Sequence, residues 1–268
     1  MKEDILSERQ RKHFNSIETS YEKAVNDPKA RYYRKLVYKL FFHGTSLEKL
    51  MHGGKDFLVL EAMCGDGMGK RVIKEIYANA EFEYEGFDYS EEMVKEAKRK
   101  YPDSTFYQQD VKAFDPDKKY DVVMLLSGLH HVPDSAVDVM KKMHLALKDG
   151  GVFVSVEPTY NLSFFGWFGD RVYKHSKFYD YDSERRFSFK ELNGIFNKSG
   201  FEIEKQIYPG LLGYLLWWFN PYPKLLKIGD LKTVRRLYRI EEKLYCNTWG
   251  RRFSLATFTI LKKRFHKF

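Results

Sequence analysis

The chain has 268 residues, 43% hydrophobic and 31% charged, which is ordinary for a globular protein and enough for a sizeable core. Its two cysteines, Cys64 and Cys246, exclude a disulfide framework or a thiolate metal site and fit a reducing, cytoplasmic setting. The polar, mixed-charge start reads as neither signal nor transit peptide, and no apolar run approaches the ~18 residues of a spanning helix. A net charge of +9 suits nucleic acid, an anionic membrane surface or an acidic substrate, and equally a solvated basic surface.

Residues 3 to about 52 have helical spacing, interrupted at Pro28 and ended by Gly53-Gly54; a helical segment placed before the first strand is expected to act as a lid or to pack on the sheet. Strand and helix patterns then alternate. Phe57–Glu61 reads as a buried strand and 67–78 as its helix. Phe82–Asp88 is a second strand, followed by a helix to Lys100 with Ser90 as N-cap and acids in its first turn. Thr105–Gln108 is a short third strand. Tyr120–Ser127 is a central strand by its continuous apolar run, and Pro133–Leu147 a helix. Val152–Glu157 is the fifth strand. This alternation implies a doubly wound, mostly parallel sheet with helices on both faces.

After Pro158 the rhythm breaks. Residues 159–186 form a long aromatic-rich connection, of a length that tends to be functional. A helix at 188–198, a strand at 201–208, the apolar run Leu211–Pro223, a helix across 229–245 and a strand at 254–261 complete the pattern, followed by a basic tail.

The chemistry is concentrated in Asp56–Gly69. A strand ending in Glu61 turns through Gly65, Gly67 and Gly69 into a helix, which lets backbone approach a ligand and aims N–H groups at it. Asp88 lies nineteen residues beyond Gly69, at the carboxyl end of the next strand, where a carboxylate can accept both hydroxyls of a ribose. Glycines plus an acid leave NAD enzymes and methyltransferases both open. The spacing Gly-x-Gly-x-Gly after Glu-x-x-Cys differs from the dinucleotide pattern Gly-x-Gly-x-x-Gly.

Five stretches in order carry a resemblance: Glu61–Gly69, Phe87–Met93, Gln109–Val111, Tyr120–Asp134 and Leu147–Pro158. Over about 56–158 the chain resembles the class I S-adenosylmethionine-dependent methyltransferases, in the branch acting on small molecules and lipids. The resemblance implies a Rossmann-like sheet of seven strands, with an N-terminal helical lid over 1–52. It also implies a donor-binding core over 53–158, acceptor-binding insertions over 159–250, and a final strand and tail over 251–268. It implies S-adenosylmethionine as co-substrate and no metal. Glu61 is then expected on the donor's ammonium group, Asp88 on its ribose, Met93 against the adenine, and Asp110 with the Val111 N–H on the adenine edge. Tyr21 is expected to reach the donor carboxylate, and Ala62, Tyr89 and Ser127 complete the expected contacts.

Methyl transfer to a hydroxyl or amine also needs a base, typically His or a carboxylate. His130 and His131 leave the fourth strand where the donor methyl should point, with His131 preferred as base. Glu157 is expected at the same rim. A small-molecule or lipid-like acceptor and O-methylation are expected, with quinone, polyketide-like or lipid-linked sugar acceptors and C- or N-methylation as alternatives. The paired tryptophans of Leu211–Pro223, followed by basic residues, suit peripheral membrane contact, and equally a lid or dimer face. Asn220-Pro-Tyr222 superficially resembles a motif of base-amine methyltransferases, but it stands far from the fourth strand where that motif belongs. A non-catalytic nucleotide-binding protein is the remaining rival, and the intact Glu61, Gly65, Gly67, Asp88 and Asp110 argue against lost donor binding.

Overall fold

The computed structural model describes residues 26–53, 56–161, 185–218 and 227–264. Tyr21, most of the aromatic connection and Asn220–Tyr222 lie outside the described residues. The chain divides into two compact units, one of Phe42–Glu157, Lys190–Gln206 and Phe258–Phe268, the other of Met1–Phe41, Pro158–Phe189 and Ile207–Thr257.

The first unit begins with α2 (Ser46–His52), which follows α1 (Pro28–Phe42) after a break at Gly44, whose φ is +74°. β1 (Leu58–Ala62), α3 (Met68–Ile76), β2 (Glu83–Asp88), α4 (Glu91–Lys100), β3 (Thr105–Gln108) and β4 (Tyr120–Leu126) follow in the expected alternation. Two single 3-10 turns, Leu129–His131 and Pro133–Ser135, precede α5 (Ala136–Ala146). The helix expected from Pro133 therefore starts three residues later. β5 (Leu147–Tyr160) is longer than expected, because the chain turns extended directly at the end of α5. The remaining elements are β6 (Phe187–Ser188), α6 (Phe189–Lys198), β7 (Phe201–Ile207), α7 (Leu231–Glu241), α8 (Thr248–Phe253) and β8 (Ala256–Lys263).

The sheet runs in the order β3-β2-β1-β4-β5-β8-β7, with β6 pairing with β5 off this path. β1 lies parallel between β2 and β4, with Glu61 opposite Gly86 on one side and Met124 on the other. The order reverses between β1 and β4, the switch point at whose carboxyl edge ligands bind in such sheets. Val59, Leu60, Val122, Val123, Met124 and Leu125 are fully buried, as a central strand covered on both faces requires.

In the second unit a buried carboxylate organises the polar interior. Glu241, near the end of α7, accepts the Gly213 N–H at 3.1 Å, the Tyr245 hydroxyl at 3.0 Å and the Tyr33 hydroxyl at 3.3 Å. Nothing in the sequence links these residues, which lie up to 212 positions apart. A single widened, π-type turn over Tyr214–Trp218 packs Trp217 against Tyr33 at 5.8 Å and Trp218 against Tyr38 at 5.2 Å. Trp217 is 1% exposed, so its indole is a core side chain and not the headgroup anchor read into the run Leu211–Pro223. The turn buries Tyr214 and Trp217, three residues apart.

Candidate functional site

The carboxyl edge of β1 and β4 carries the backbone strain of the fold. Met63 (φ +54°) and Ser127 (φ +58°) are the non-glycine residues in the left-handed region among those described, and each follows one of these two strands. Such conformations cost about 1–2 kcal/mol each and collect at ligand sites. Gly65 (φ +52°) and Gly67 (φ +85°) continue the turn into α3. A Cβ at Gly65 would point into open space, whereas one at Gly67 would lie 2.8 Å from the Tyr101 ring. The turn is thus packed from behind and open in front, the shape a backbone cradle needs.

Glu61 sits beneath the turn at 1% exposure. Both its carboxylate oxygens accept the Gly69 N–H, at 2.9 and 3.0 Å, and it also accepts the Tyr84 hydroxyl. Tyr84 in turn accepts the Lys70 N–H at 3.0 Å. Burial pushes the Glu61 carboxyl up to about 8, against the opposing pull of Tyr84 and Gly69. Ala62 is buried beside it. Asp66, on the turn itself, pairs with Lys100 at 2.8 Å, and buried Lys70 pairs with Asp103 at 2.8 Å. Tyr84, Lys70, Tyr101 and Lys100 therefore brace the turn. The sequence reading missed them, and the faint signal was a lysine directly after the third glycine on a helix face that otherwise reads as apolar.

Asp88 ties the second strand to the same turn. Its Oδ2 accepts the Gly65 N–H and its Oδ1 the Ser90 N–H, each at 2.9 Å, and the residue is half-buried. Each oxygen keeps a lone pair for a diol. Burial raises its carboxyl above the usual range while those two N–H groups pull it down. Ser90 caps α4 by accepting the Met93 N–H at 3.3 Å, which sets buried Met93 on the first turn of that helix. The Tyr89 carbonyl accepts from Gln108 at 3.1 Å. Beyond β3, Asp110 accepts the Lys112 N–H at 2.8 Å and Val111 is buried. The Ser127 N–H donates to the Val156 carbonyl at 2.6 Å, which joins the end of β4 to β5.

Glu157 on β5 is fully buried. Its Oε1 accepts the Gly128 and Leu129 N–H groups at 3.2 and 2.9 Å, and its Oε2 meets the His130 N–H at 3.3 Å and His130 Nδ1 at 2.8 Å. It is thus the inner anchor of the turn that follows β4. His130 is buried with it, and half-buried His131 packs against His130 with ring centroids 4.1 Å apart and planes tilted by 37°. The positive field of a protonated His131 reaches both Asp88 and Glu157. Of the pair, His131 is the more exposed residue.

Burial also pushes Glu157 up to about 8. Unfolded carboxyls titrate near 4.3, so between about pH 4.3 and 8 the folded chain keeps protons that the unfolded chain has released. Stability contributed by Glu61 and Glu157 is then fully present below the lower value and lost as pH rises through the upper one. Asp88 and Glu241, also raised by burial, act in the same direction. The melting temperature of the ligand-free protein is expected to fall from about pH 5 to about pH 8.5, with a shallower fall in Glu157→Gln. A melting temperature that rises over this range contradicts it.

Residues 59–151 match a family model described as Methyltransferase domain. The chain is 28% identical over 131 residues to malonyl-[acyl-carrier protein] O-methyltransferase 1 of Ilyobacter polytropus, covering 47% of this chain and 44% of that protein, less than half of the relative's length. It is 26% identical over 190 residues to a demethylmenaquinone methyltransferase of Lysinibacillus sphaericus, covering 69% of this chain and 72% of that one. The fold is that of a methyltransferase solved with the Trm112 activator of Haloferax volcanii, at TM-score 0.60, 20% identity and coverage of 96% and 99%. It is also that of the DhpI–SAM–HEP complex, at TM-score 0.51, 23% identity and coverage of 75% and 92%. Among the described residues no group of three or more His, Cys, Asp or Glu could hold a metal ion, and no helix is long and apolar enough to cross a membrane. Residues 59–151 thus carry a methyltransferase domain, set in a sheet whose fold is shared with solved methyltransferases.

Proposed function

We propose that the protein transfers the methyl group of S-adenosylmethionine to an oxygen of a small, lipid-like acceptor, with His131 as the base. What supports this reading is the column Glu157–His130–His131, in which Glu157 and His130 are buried and His131 is half-buried. The acceptor O–H loses its proton to His131 as the new C–O bond forms and the C–S bond breaks, leaving S-adenosylhomocysteine and a methylated product. Glu157 and His130 position the base and the turn beneath it.

The donor half follows from the open front of the Gly65 turn and the two-handed Asp88, which suit a ribose beside a backbone cradle. Glu61 supports donor binding through the Gly69 N–H, holding the turn from below. Met93, Tyr89, Asp110, Val111, Ala62 and Ser127 frame the remainder of the donor pocket. Both cysteines are free, Cys64 buried and Cys246 exposed, which supports a cytoplasmic setting. A quinone ring is the second acceptor reading, favoured by the relative that covers most of the chain.

Calorimetry with S-adenosylhomocysteine and turnover with hydroxyquinone and acyl-carboxylate probes test this together. His131→Gln is expected to bind S-adenosylhomocysteine within a few-fold of the parent while kcat falls roughly hundredfold, in the range of general-base removal. Turnover within a few-fold of the parent removes His131 from the chemistry. No heat from the parent removes the donor reading as well.

A further inference from the structure

We propose that the outer surface formed by α7 and α8 is a docking face for an anionic phospholipid bilayer. Val234, Tyr238, Glu241 and Tyr245 are the buried stripe of this segment, at spacings of four, three and four. The opposite arc of α7 and its extension is exposed and carries Lys232, Arg236, Arg239, Ile240 and Lys243. Ile240 is 65% exposed, and Leu244, one turn on, is 37% exposed. The chain then folds back tightly. A Cβ at Gly250 would lie 1.8 Å from the Leu244 carbonyl oxygen, and Asn247 caps α8 by accepting the Gly250 N–H at 2.9 Å. That fold-back brings α8 up beside Leu244. On α8, Trp249 (64% exposed) and Phe253 (40% exposed) stack with centroids 6.2 Å apart and planes 5° from parallel.

Two independent features thus share one surface. Exposed Ile, Leu, Trp and Phe gain by leaving water, and the residues from Lys227 to Phe253 include eight basic side chains against three acids, of which Glu241 is buried. An aromatic–aliphatic patch set among lysines and arginines is the composition of an interfacial membrane surface, where each basic residue adds attraction to anionic headgroups. A nucleic acid would use the cations and the two stacked rings, but it would leave Ile240 and Leu244 without a partner. A bilayer accommodates all of them. Docking stands on this surface alone and does not depend on methyl transfer, although it would bring the proposed lipid-like acceptor to the enzyme.

The test is sedimentation of the full chain with vesicles of phosphatidylcholine alone and of phosphatidylcholine with about one-third phosphatidylglycerol. The parent is expected to bind only the anionic vesicles and to be released as salt is raised toward ~1 M. Arg236→Glu/Arg239→Glu/Lys243→Glu is expected to lower partitioning roughly tenfold or more, with S-adenosylhomocysteine binding and circular dichroism as in the parent. A second measurement needs no charge reversal: tryptophan emission should shift to the blue on anionic vesicles in the parent and lose most of that shift in Trp249→Phe. Equal binding to neutral vesicles, no vesicle binding alongside salt-sensitive RNA binding, or an unchanged shift in Trp249→Phe each overturns the proposal. Donor binding measured on the same samples keeps this failure separate from failure of the methyltransferase reading.

Discussion

Gly69→Ala is expected to lose S-adenosylhomocysteine binding by roughly a hundredfold or more, about 2.7 kcal/mol, and to melt at a lower temperature than the parent. The cause is not backbone freedom, since Gly69 lies within α3 and its φ is outside the left-handed region. The cause is the buried carboxylate beneath it. A Cβ at position 69 would lie 2.8–2.9 Å from three atoms of the Glu61 carboxyl group, closer than real Cβ atoms approach. Relief requires moving either the start of α3 or Glu61. Glu61 has nowhere to go, because Tyr84 and the Gly69 N–H hold it where water does not reach. Overpacking costs about 1–3 kcal/mol, and leaving a buried polar group without its hydrogen-bond partner costs about 1–3 kcal/mol. Both fall on the turn that carries Gly65 and its link to Asp88.

Gly65→Ala supplies the contrast. Its Cβ meets nothing within 4 Å, so the cost to folding is only the left-handed backbone, about 1–2 kcal/mol. Its effect on donor binding should come from obstruction in front of the turn, with melting close to the parent. If Gly69→Ala binds S-adenosylhomocysteine as the parent does, Glu61 is not the support of the donor site.

The turn was legible because its physics is local. An apolar run ended by one acid and glycines at alternate positions specify a strand, a tight turn and a helix start within fourteen residues. The same holds for Ser90 capping α4, where residue type and position agree. What the sequence concealed are partners that meet only when strands align. Tyr84 reads as an ordinary strand aromatic until the β1–β2 register brings it to hydrogen-bond Glu61. Glu157 read as a rim residue facing the acceptor, yet it points at the backbone N–H groups of the turn after β4. A clue existed in β5, where Ser155, Glu157 and Thr159 recur at alternate positions of a strand buried on both faces. Three polar groups in one buried column must find internal partners.

Glu157→Ala is expected to destabilise the protein by about 3–5 kcal/mol, because it leaves an imidazole and three main-chain N–H groups without their acceptor in a site closed to water. For a chain of this size that corresponds to a melting temperature lower by roughly 10 °C. Glu157→Gln separates charge from connectivity. Its amide oxygen can still accept the Gly128 and Leu129 N–H groups. Its amide nitrogen can donate to Nδ1 of a neutral His130 that carries its proton on Nε2, leaving only the His130 N–H facing a donor. A cost of about 1–2 kcal/mol is then expected, close to that of one unsatisfied buried donor. The catalytic readout should follow position and not charge. If Glu157 acts by holding the turn, Glu157→Gln keeps most of kcat at temperatures where it is folded, while His131→Gln loses kcat without losing stability. Chemical denaturation with turnover measured on the same three variants decides it. A Glu157→Ala protein within 1 kcal/mol of the parent removes the anchor role. A Glu157→Gln protein as stable as the parent but as inactive as His131→Gln assigns the carboxylate to the proton transfer itself.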